Sequence, residues 1–123
     1  MSPMPQYFLT VPHDSAEEPT MESMAAADPA ELEALVAAVN DLNADLAAAG
    51  ALVHAGGLMP PSTAVTVDAS GEVPVRTNAP FVEAPAYVGG FWILDVADED
   101  AAVSWAERAS AVLGSRIEVR AVQ

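Results

Sequence analysis

The side chains best placed to do chemistry gather between Arg76 and Tyr87. Arg76, Asn78, Glu83 and Tyr87 offer a cation, an amide, a carboxylate and a phenol in one proline-rich stretch, with Phe81 among them. An arginine in such a group is the natural partner of a carboxylate or phenolate on a ligand. Glu83 either holds that arginine in place or, once desolvated, acts as a base. Asn78 donates and accepts hydrogen bonds without changing charge, and Phe81 and Tyr87 present ring faces to an apolar ligand body. The plainer alternative is a turn at Asn78 and Pro80, Phe81 plugging the core, and a simple Glu83–Arg76 ion pair.

His54 is the second candidate. It ends an apolar run just before Gly56-Gly57. An imidazole titrates near neutrality and can serve as a general base. A hydrogen-bonded structural histidine is the preferred reading, with a place in the same cleft open to it if its strand end lies beside the loop. His13, followed by Asp14, is read as solvent-exposed. Two histidines far apart in sequence and no cysteine make no ligand spacing, so neither a metal nor another cofactor is expected. Asp95, Asp98, Glu99 and Asp100 are better suited to capping a helix than to holding a cation. Gly56-Gly57 and Gly89-Gly90 lack the surrounding motif of a phosphate loop.

The charge balance narrows the partners. The chain has 123 residues, a formal net charge of -14, four arginines and no lysine. Four cations among eighteen acids cannot easily build the basic face that nucleic acid or anionic membrane requires. No apolar run approaches a membrane span. The N-terminus has no basic residue and no apolar h-region, so no signal peptide is expected, and a cytoplasmic location is the simplest reading.

These residues need elements to hold them. Tyr7–Val11 reads as a first strand stopped by Pro12. The segment 12–27 reads as a loop, either mobile or part of a site rim. Asp28, Pro29 and Glu31 open a helix whose stripe of Leu32, Leu35, Val36, Val39, Leu42 and Leu46 runs to Gly50. Ala51–Ala55 and Thr63–Val67 are strands, and Glu72–Val75 is a short returning arm kept at an edge by Pro74. Phe91–Val96 is the most apolar strand. Asp98 caps a second helix whose inner face is Ala102, Trp105, Ala106, Ala109 and Leu113, with Gly114 closing it. Ile117–Val122 alternates as a last strand.

The order is β-α-β-β-α-β with a small extra arm, an α+β ferredoxin-like unit forming one domain over 1–123. Two helices cover one face of such a sheet. Phe91 and Ile93 put apolar groups on one face of their strand, Trp92 and Leu94 on the other. A second copy is the simplest cover for the open face, which makes a homodimeric α+β barrel.

Several motifs, in order, resemble the YCII-related proteins of the DGPF type, nearly end to end. They are Gly57-Leu58-Met59-Pro60-Pro61, Asn78-Ala79-Pro80-Phe81 followed by Glu83, Gly89-Gly90-Phe91, Trp105-Ala106, and Ser115-Arg116-Ile117-Glu118-Val119-Arg120. The Asp-Gly of the signature is replaced by Asn78-Ala79, and the lysine usual after the glutamate is absent. A His-Asp pair ascribed to some relatives, with its histidine on the first helix, does not carry over, because Asp28–Gly50 contains no histidine. The resemblance implies a small dimeric barrel that binds a small organic molecule, anionic if Arg76 takes part. Related barrels host proton-transfer lyase or isomerase chemistry, an analogy at the level of fold alone. The alternative it implies is a non-enzymatic module linked to extracytoplasmic-function sigma factors in bacterial signalling.

Overall fold

Alternation along Phe91-Trp92-Ile93-Leu94 decides how the chain is layered. In this computed structural model, which describes residues 5–13, 29–81 and 86–123, Trp92 and Leu94 are buried while Phe91 and Ile93 are half-buried. The elements in chain order are β1 (Gln6–His13), α1 (Pro29–Ala48), β2 (Leu52–Gly57), β3 (Thr66–Asp68), β4 (Val75–Thr77), β5 (Tyr87–Asp95), α2 (Glu99–Leu113) and β6 (Glu118–Ala121). A single 3-10 turn, Pro61–Thr63, lies between β2 and β3.

The main sheet runs β2-β5-β1-β6, and every neighbouring pair is antiparallel. With one helix after β1 and one after β5, this is the ferredoxin-like split βαβ arrangement expected from the sequence. β3 and β4 stand outside the sheet and pair only with each other. The strand expected at Thr63–Val67 and the arm expected at Glu72–Val75 are therefore the two halves of one ribbon, β3 at Thr66–Asp68 and β4 at Val75–Thr77.

The core lies between sheet and helices. Leu9 from β1 and Trp92 and Leu94 from β5 meet Leu42 and Leu46 of α1 and the alanines 102, 106 and 109 of α2. Three alanines on one face let α2 approach closely. Both helices end as their glycines require, with Gly50 at φ 71° and Gly114 at φ 62°, a region that disfavours residues with a Cβ. At the start of α2, the Asp98 carboxylate accepts the Ala101 N–H at 2.9 Å. The corresponding cap expected at Asp28 lies outside the described residues.

Three expectations change. Pro12 does not stop β1, which continues to His13 through a register shift between Val11 and Pro12. β6 pairs with β1 only from Tyr7 to Thr10, so Pro12 sits where the ladder has one free side and its missing N–H costs least. β5 begins at Tyr87, not Phe91, so Gly89-Gly90 lies inside the strand. The apolar stripe of α1 is buried only in its second half: Leu42 and Leu46 are covered, whereas Leu32, Leu35 and Val36 stay exposed. A 20-residue helix spans about 30 Å and outruns the six-residue β2 beside it, which spans about 20 Å.

Candidate functional site

The expected site residues do not converge as a group. Arg76 is exposed on β4, and Asn78 is exposed just beyond it. Phe81 is 84% exposed, so it does not plug the core. Glu83 lies outside the described residues, so neither its pairing with Arg76 nor its role as a base can be placed. Phe81 and Tyr87 line one open depression of about 510 Å³, shared with Leu58, Met59, Pro60 and Val88. Neither Arg76 nor Asn78 lines it.

His54 lies on the sheet face turned away from the helices. Its ring packs against Phe91 with centroids 5.7 Å apart, and Phe91 packs against Phe8 at the same distance. The register aligns His54, Ile93, Phe8 and Arg120 in one row across the sheet, and Gly56, Phe91, Thr10 and Glu118 in the next. Arg120 and Glu118, in phase with this face, approach each other at 3.6 Å on the exposed β6 edge, and Asp95, two residues past Ile93, shares the face at the end of β5. No buried acid or second base accompanies His54 among the described residues. His54 itself is exposed, with its ring against Phe91.

A cavity lies on the opposite face, between the sheet and α1. It measures about 310 Å³, at the lower end of the range for small-molecule sites, about 300–1,000 Å³. Val39 and Asn43 of α1 form one wall and Leu113, at the end of α2, another. The floor is backbone. Gly57 of β2 pairs with Gly90 of β5, and both positions turn toward the helices, in phase with Ala55 and Trp92. At these two positions the lining is backbone alone. A Cβ at Gly57 would meet nothing within 4 Å, whereas one at Gly90 would come within 3.3 Å of the Gly56 carbonyl oxygen. Gly90 is thus needed for strand approach as well, while Gly57 leaves space and nothing else.

One polar contact orders the wall. The Trp92 indole N–H donates to Asn43 Oδ1 at 2.7 Å, joining β5 to α1. The rest of the described lining is apolar side chain and glycine backbone, so the cavity can hold and orient a small organic molecule, and none of the described lining residues is an acid or base that could move a proton. Sequence reasoning missed this site, although it carried a signal. Asn43 falls in the inward phase of α1, four residues from Val39 and next to Leu42, where an apolar residue would be ordinary. Two Gly-Gly pairs in strands that become neighbours were the other half of it.

Among the described residues, no three His, Cys, Asp or Glu side chains come together as metal ligands, and no helix is long and apolar enough to cross a membrane. The family model described as YCII-related domain matches residues 8–123. No curated protein matches the chain.

Proposed function

This chain belongs to the YCII-related domain family, and from that premise we propose that it is a ligand-binding domain that takes a small organic molecule between the sheet and α1 and works as a homodimer. The glycine floor carries the reading. Two adjacent strands give up their side chains at Gly57 and Gly90, across the cavity from Val39 and Asn43 of α1, in a protein whose core is built of leucine, alanine, Trp92 and Val96. Glycine inside a strand weakens it and is found where something must approach closely.

The homodimer rests on the other face. Phe8, Phe91 and Ile93 form an apolar centre there, and no helix covers it among the described residues. The chain is strongly anionic, yet this centre carries no acid. Glu118 and Arg120 sit together at its margin and Asp95 lies at the end of β5, so two copies can meet on the apolar centre with these charges at its rim.

The test is a melting-temperature screen of small organic compounds against the full chain and its Gly57→Leu variant. Leucine at position 57 has open space to enter, so the variant should fold and lose the cavity. Compounds that stabilise the wild type and not the variant support the site. Hits that stabilise both equally place binding elsewhere.

A further inference from the structure

The cavity wall is informative for what it leaves out. Among the described residues, none of the side chains lining it is ionisable, and Asn43 is the one amide. An indole nitrogen can only donate, so the end of Asn43 that meets Trp92 must be the carbonyl. The amide NH2 is turned the other way. It meets no acceptor among the described residues. What Asn43 offers the cavity is therefore a donor, with its own acceptor already taken.

Charge points the same way. The protein carries a net charge of -14, and no arginine lines this cavity to offset a ligand's negative charge. An anion moved into such a space gives up its water and gains no cation. The shape adds a third restriction. Side-chain-free backbone of β2 and β5 makes a flat floor, flanked by the Trp92 indole.

We infer that the cavity binds a neutral, flat, largely apolar molecule carrying a hydrogen-bond acceptor, such as a ketone, quinone or ether oxygen, set against the Asn43 amide. This rests on the reading of the cavity as the binding site. The ligand class differs from the anion expected beside Arg76, and the charge of the ligand decides between them.

A matched pair of compounds tests it. 2-Acetylnaphthalene and 2-naphthoate share a bicycle and a carbonyl acceptor and differ in charge. Each is titrated calorimetrically into the full chain, into Gly57→Leu and into Asn43→Asp. Aspartate keeps an oxygen for the Trp92 indole but replaces the donor with a second acceptor. The ketone should bind the wild type at least tenfold more tightly than the carboxylate, lose at least fivefold in Asn43→Asp, and not bind Gly57→Leu. Equal or tighter binding of the carboxylate, or ketone binding indifferent to Asn43→Asp, overturns the ligand class. So does failure of both compounds, and if molecules from the broader screen still bind the wild type and not Gly57→Leu, the site itself stands. Binders that all ignore Gly57→Leu remove the site. Circular dichroism checks each fold, and should Asn43→Asp not fold, the comparison of ketone with carboxylate on the wild type decides.

Discussion

The Trp92 indole N–H and the Asn43 carbonyl oxygen lie 2.7 Å apart, across 49 positions of sequence. This bond holds α1 at a set height above β5, and the space beneath it is the cavity. Both groups are partly buried, so breaking the bond leaves a polar atom poorly served.

Trp92→Phe should destabilise the fold by about 1 kcal/mol through the lost bond, with a further loss from the smaller ring. Asn43→Leu removes the other partner. Urea denaturation of both single variants and the double variant should give a coupling of at least about 0.5 kcal/mol. Additive losses would show that the contact does not hold helix to sheet.

The two tryptophans should differ sharply. Trp92 is 6% exposed, whereas Trp105 is half-buried at the rim of α2 under the Arg108 guanidinium, 5.8 Å from the ring centre. Trp92→Ala should cost about 3–5 kcal/mol and Trp105→Ala clearly less, measured by the same denaturation. A larger loss at Trp105 would contradict the core as described.

How far the chain could be read from sequence followed how local each signal was. Asp98, Gly50 and Gly114 mark helix ends by the conformations they favour, and alternation around Trp92 shows which face of β5 meets the helices. Those elements were legible. The apolar run that begins at Phe91 marks only part of β5, because Gly89-Gly90 carries no side chain to show strand alternation yet continues the strand. The cavity was hidden for a related reason. Its floor is an absence of side chains at two positions made neighbours only by strand order, and its wall comes from a helix turn elsewhere in the chain. The polar cluster around Arg76 was conspicuous in sequence, but Arg76 and Asn78 lie exposed on and beside the separate ribbon.

The open sheet face gives a prediction on assembly. Light scattering should return the mass of a dimer at micromolar concentration. Phe91→Asp places a charge at the centre of that face and should yield a folded monomer. A wild-type monomer with a well-folded spectrum would refute the homodimer.

Asp68 should titrate below the ordinary carboxylate range. Its carboxylate accepts hydrogen bonds from the Ser70 hydroxyl at 2.6 Å and the Ser70 N–H at 2.9 Å, and these favour the charged form. A pKa depressed by folding gives a contribution present above the unfolded value and lost as pH falls through the folded one. The turn after β3 should thus loosen only in acid, below the usual aspartate range. Carboxyl NMR titration of Ser70→Ala should show the Asp68 pKa rising toward the ordinary value. No change would mean that the backbone N–H alone sets it.

Ligand occupancy of the space beneath α1 has a built-in reporter, because Trp92 lines the cavity and Trp105 does not. The chain has two tryptophans, so Trp105→Phe leaves Trp92 as the only indole. Titrating a compound that stabilises the wild type into this variant should change Trp92 emission saturably, at the same concentration that raises the melting temperature. Adding Gly57→Leu should abolish both responses. A stabilising compound that leaves Trp92 emission unchanged, or alters it equally in the Gly57→Leu background, would contradict the cavity between α1 and the sheet as the binding site.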